Sequence, residues 1–138
     1  MKINLAGVVV RIREADLKVN PRFKDTRCLT DELIRASIDT KYRDPQTGAS
    51  TIKNRHERAS AATVMETLTD AIEDKIDVVE FDLPTVRWVL ESVKDFPASL
   101  FWAPVQEKLI KLLEACIKTE EDSIESRKLA AKTDAKAI

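Results

Sequence analysis

Glycine, cysteine and histidine are almost missing from this chain: of its 138 residues, 2 are glycine, 2 are cysteine and 1 is histidine. Phosphate-cradling loops use several glycines so that backbone N–H groups can approach the ligand, and Gly7 and Gly48 each stand alone. Cys28 and Cys116 belong to no C-x-x-C pair, which argues against a zinc knuckle or a dithiol redox motif. Two reduced, buried thiols are the expectation. A catalytic imidazole needs an orienting partner and a nucleophile in reach. Around His56 the sequence Asn54-Arg55-His56-Glu57-Arg58 instead reads as a helix surface. The carboxylate runs Glu73-Asp74 and Glu120-Glu121-Asp122 lack the alternation and bend glycine of a calcium loop. No metal, no cofactor and no enzyme chemistry are expected.

Long apolar runs are also lacking. The stretch Ile3 to Val10 resembles a short signal-peptide core, but Arg11, Arg13 and Glu14 follow directly and no small-x-small cleavage site appears. No run approaches the roughly 20 apolar residues that cross a bilayer. A cytoplasmic protein without a membrane partner is the expectation.

Charge, by contrast, is abundant. There are 23 Lys and Arg against 24 Asp and Glu, a formal net charge of -1. The near-balance hides a division, because residues 1–60 carry a net +5 and residues 61–138 a net −6. Such a division either steers a partner or pairs one half of the molecule against the other. The length fits one domain, expected over residues 1–118, with 119–138 as a charged, flexible or frayed-helical tail. In that tail only Ile124, Leu129 and Ile138 are large and apolar.

Periodicity predicts a mainly α fold: a bundle of about four helices with a small N-terminal β strand or hairpin. Residues 2–13 read as extended, with Ile3 and Leu5 on one parity, Val8, Val10 and Ile12 on the other, and a bulge at Gly7 to realign them. The only other strand candidate is Val78 to Asp82, and Asn20-Pro21 marks a turn. A first helix is expected from Thr30 as cap, with Asp31 and Glu32 in its first turn and Leu33, Ile34, Ser37 and Ile38 on its inner face. The polar segment 41–50 closes it. A longer helix is expected over 51–74, its stripe formed by Ala61, Val64, Met65, Leu68, Ala71 and Ile72. Asp82-Leu83-Pro84 reads as a helix entry whose inner residues are Val86, Val89, Leu90 and Val93, and Phe96-Pro97 as its exit. Pro104 opens the last helix, with Val105, Leu109, Leu112, Leu113, Cys116 and Ile117 at helical spacing.

Seven residues are aromatic, and five of them, Phe81, Trp88, Phe96, Phe101 and Trp102, lie within residues 81–102. Trp88 falls at the margin of an apolar stripe. Phe101 and Trp102 lie in a connector bounded by Pro97 and Pro104. Large rigid rings in such a place either plug a bundle end or anchor a partner. Tyr42 and Arg43 sit at the entry of the polar loop, where contact residues are commonly presented.

The layout from Cys28-Leu29-Thr30 through the charged loop, the Ala-rich helix around Arg58-Ala59, Val79-Glu80-Phe81-Asp82 and the helix to Leu113 resembles small proteins encoded by bacteriophages. That resemblance implies a non-enzymatic accessory role, in virion assembly or in binding a host protein, within the host cytoplasm. The sequence reading is therefore a protein–protein interaction protein, with Tyr42, Arg43, Trp88, Phe101 and Trp102 as partner-binding candidates and a homodimer as one form of partnership. The alternative is a nucleic-acid-binding regulator using the basic N-terminal third, with Arg11, Arg13, Arg22 and Arg27 on phosphates. Glu14, Asp16, Asp25, Asp31 and Glu32 interrupt that basic set.

Overall fold

A strand cannot continue without a partner for its backbone groups, and this limits the N-terminal β structure to three residues. In a computed structural model, which describes residues 1–52 and 54–137 but not the side chains of Arg22, Phe23 and 133–137, β1 (Lys2–Asn4) pairs antiparallel with β2 (Val78–Glu80). Lys2 lies opposite Glu80, Ile3 opposite Val79 and Asn4 opposite Val78. The inward pair Ile3 and Val79 is buried, while Lys2 and Glu80 form an exposed cross-strand pair of opposite charge. The extended reading of 2–13 is corrected beyond Asn4. The side-chain oxygen of Asn4 accepts from the Ala6 N–H at 3.0 Å and turns the chain into a 3-10 turn, Leu5–Gly7, where a bulge was expected. Residues 8–13 carry no assigned secondary structure, because β2 offers no further residues to pair with them.

Among the described residues five helices follow: α1 (Glu14–Val19), α2 (Thr26–Tyr42), α3 (Arg55–Glu73), α4 (Leu83–Asp95) and α5 (Ala103–Ala137). A second 3-10 turn, Pro21–Lys24, fills the Asn20-Pro21 turn between α1 and α2. The expected start of α2 at Thr30 is also corrected. Asp25 is the cap, its carboxylate accepting from the N–H groups of Arg27 at 3.0 Å and Cys28 at 3.4 Å. The earlier start brings Leu29 onto the face of Leu33, where both are buried. Thr30 then lies inside the helix, its hydroxyl donating to the Thr26 carbonyl. The helix expected from residue 51 begins at Arg55, where Asn54 caps it by accepting from the His56 N–H at 2.8 Å. Asp82 caps α4 by accepting from the Thr85 N–H at 2.9 Å, with Pro84 in the first turn. Lys53 and Ile138 lie outside the described residues.

The core gathers one face from each long helix. Leu29, Leu33, Ile34 and Ile38 of α2 meet Val64 and Leu68 of α3, Val86, Val89 and Val93 of α4, and Leu109 and Leu113 of α5. Each such side chain contributes about 1.5–3 kcal/mol on burial. Two polar clasps fix the helix ends and crossings. Arg35 donates to Asp31 on its own helix at 2.8 Å and to the Thr69 hydroxyl of α3 at 2.8 Å. Gln106 of α5 donates to the carbonyls of Val93 at 2.9 Å and Phe96 at 2.8 Å, satisfying acceptors that the end of α4 leaves open. The fold is thus mainly α with a minor two-stranded sheet, and α5 runs on as one helix through the segment read as a tail.

Candidate interaction surface

The connector between α4 and α5, residues 96–102, is part packed and part solvated: Phe96, Phe101 and Trp102 are half-buried, and Pro97, Ser99 and Leu100 are exposed. Phe101 and Trp102 meet edge to face, 5.6 Å between ring centres at 83°. Trp102 packs against the core and is half-buried, so it anchors the connector. Leu100 beside it is 95% exposed. This residue escaped the sequence reading, since a leucine one place outside a helical stripe carries no periodic signal.

Beneath the connector runs a groove of about 440 Å³ with Val10, Ile12, Leu29, Leu100, Phe101 and Val105 among its lining. Its rim carries Arg11 and Arg13 from the extended segment. Arg13 donates to Asp16 at 3.1 Å, whereas Arg11 is exposed with no partner among the described residues. The Lys108 ammonium reaches over from α5 to donate to the Val9 carbonyl. Alternation in residues 8–13 signalled extended chain; nothing local signalled that α2 and the connector would close a groove against it.

Tyr42 and Trp88, both singled out as partner candidates, are brought together instead. The Trp88 indole N–H donates to the Tyr42 hydroxyl at 2.8 Å, and the rings stack 5.9 Å apart at 28°. Lys41 lies 5.9 Å over the Tyr42 ring. Arg43 is exposed and pairs with Asp39 at 2.8 Å.

Of the phosphate-contact candidates, Arg27 is corrected outright. It faces inward from the first turn of α2, nine-tenths buried, with none of its three guanidinium nitrogens in a hydrogen bond. The nearest carboxylate oxygen, of Asp77, is 4.0 Å from Nε. The helix start at Thr26 causes this, because it turns position 27 toward the α3–β2 connection, where Ala71 and Asp77 flank it. The Arg22 side chain lies outside the described residues.

The thiols are half-buried rather than buried. Burial first, and then hydrogen bonding to the Asp25 carboxylate at 3.1 Å, push the Cys28 thiol up to about 11. Burial also raises that of Cys116. Such thiols resist ionisation and are poor nucleophiles. His56 is exposed on the first turn of α3. Among the described residues no group of three or more His, Cys, Asp or Glu side chains is placed to hold a metal ion. No described helix is long and apolar enough to cross a membrane.

Fold and surface together define a mainly helical protein with an apolar groove of basic rim under the α4–α5 connector, and a second, more open cleft of about 550 Å³ between α4 and the far half of α5, lined by Leu83, Arg87, Glu121 and Ile124 among others. No protein-family model matches the chain, and no curated protein or solved structure matches it.

Proposed function

We propose that this protein is a non-enzymatic accessory protein that acts by docking another protein onto the connector and the groove beneath it. The observation that carries the reading is Leu100, 95% exposed and next in sequence to the edge-to-face pair of Phe101 and Trp102. Interface centres favour apolar and aromatic side chains on rigid supports. Tyr42 and Trp88 give rigid support at the α2–α4 crossing, with Arg43 at their edge as a polar contact. The setting we propose is the cytoplasm of a bacteriophage host, with virion assembly or capture of a host protein as the task. That setting rests on the layout resemblance alone.

The nucleic-acid alternative is weaker. Burial of Arg27 and pairing of Arg13 with Asp16 leave Arg11 as the remaining free cation of that candidate set among the described side chains. Affinity for DNA or RNA that falls steeply with salt would favour it nonetheless.

The test is association of Leu100→Ala and Phe101→Ala variants, verified as folded by circular dichroism, with a host extract and with themselves by light scattering. Loss of a complex formed by the parent protein is the expected result. Association unchanged in both variants removes the connector from the proposal.

A further inference from the structure

Residues 8–13 form an extended segment that no strand completes. The chain is extended at both ends of it, with φ −87° and ψ 101° at Val8 and φ −62° and ψ 143° at Arg13. Among the described residues, the N–H groups of Val9, Val10, Arg11, Ile12 and Arg13 have no hydrogen-bond acceptor, and Val9 is 61% exposed. The Val9 carbonyl receives Lys108 and the Arg13 carbonyl receives the N–H groups of Asp16 and Leu17, so the open backbone is centred on Val10, Arg11 and Ile12, and such open donors and acceptors are a template for a short added strand. Beside it lies the apolar groove, which receives alternate side chains of an extended chain, since successive residues of a strand point to opposite faces. The charged side chains lining the groove are Arg11, Arg13 and Asp16, the last engaged by Arg13; Lys108 reaches the Val9 carbonyl, and exposed Glu14 follows at the end of the segment.

We infer that Val9–Arg13 is a strand-addition site for an extended segment of another protein in which acidic residues alternate with apolar ones. Backbone pairing supplies the affinity, the groove takes the apolar side chains against Leu100 and Phe101, and Arg11 with Lys108 select carboxylates on the opposite parity. The inference rests on the docking reading and narrows it to one kind of partner. Two features favour a partner segment over a second copy of this chain. The site is basic, and residues 8–13, which would have to pair with themselves in a symmetric dimer, carry only the cations Arg11 and Arg13.

The probe is a short fluorescein-labelled peptide alternating aspartate with leucine, blocked at both ends, followed by fluorescence anisotropy with the full chain. Binding at micromolar concentration is expected, weakened at least about tenfold by Arg11→Glu, by Leu100→Ser, and by replacing the peptide's aspartates with lysine. Both variants alter exposed side chains and leave the core intact. N-methylation of alternate peptide amides abolishes binding if backbone pairing carries it, and amide exchange at Val9 to Arg13 slows in the complex. No binding up to about 1 mM overturns the inference. So does unchanged exchange, equal binding of the N-methylated peptide, or dimerisation of the protein that Leu100→Ser destroys. Should any of these occur while Phe101→Ala still abolishes a complex with another protein, strand addition fails and the broader docking reading survives. Loss of both effects removes both.

Discussion

The indole N–H of Trp88 donates to the hydroxyl of Tyr42 at 2.8 Å, joining the last turn of α2 to the second turn of α4. Half-burial of both rings makes the bond matter, because neither group is freely rehydrated if the other is removed. Tyr42→Phe keeps the stack and deletes the acceptor; a loss of about 0.5–1.5 kcal/mol in urea unfolding is expected. Trp88→Phe with Tyr42→Phe should cost less than the two single changes added together.

Asp25 and Asp82 each hold a helix start. The Cys28 thiol chiefly lowers the pKa of Asp25, and the Thr85 hydroxyl and N–H that of Asp82, both below the ordinary 3.8. A depressed folded-state value means stability fully present above the unfolded value and lost as pH falls through the folded one. Unfolding midpoints should hold steady from neutral pH down to about 5 and drop below about 4. Asp25→Ala and Asp82→Ala should each cost about 0.5–2 kcal/mol at neutral pH and flatten part of that acid dependence.

Arg27 buries a charge without a hydrogen bond. Desolvating a guanidinium is expensive, and an apolar side chain of similar length avoids the cost. Arg27→Met is therefore expected to leave stability within about 1 kcal/mol of the parent or raise it, measured by guanidinium unfolding. A loss of more than about 3 kcal/mol would mean that the Asp77 carboxylate, 4.0 Å from Nε, pairs with the buried charge strongly enough to offset its desolvation.

Cys28 should react slowly. With its thiol near 11, only about one per cent is thiolate at pH 9, where a free cysteine of value 9.0 is half ionised. Alkylation by iodoacetamide, followed by mass spectrometry, should lag behind that of the unfolded chain. Asp25→Asn keeps a capping side chain but removes the carboxylate, and is expected to accelerate the reaction.

Where a boundary was marked by one strong local signal, sequence was enough. Asp82-Leu83-Pro84 and Phe96-Pro97 bracket α4, and the stripe Val105, Leu109, Leu113 and Ile117 of α5 is buried as spaced. Where two residues competed for one role, sequence misjudged. Asp25 and Thr30 are both good caps, and the burial of Leu29 against the rest of the core selects Asp25. The pairing of Tyr42 with Trp88 and the groove under the connector arise from helix crossings between distant segments, which no local pattern encodes. Arg27 shows the same limit: a cation near other cations in sequence turns inward once its helix is capped five residues earlier, at Asp25.

The order in which the sheet's two strands occur has a consequence for biosynthesis. Lys2–Asn4 leave the ribosome before Val78–Glu80, which emerge only after α2 and α3 have been made. Until then Ile3 lacks its cross-strand partner Val79, and sheet closure becomes a late event of high loop-closure entropy following local helix formation.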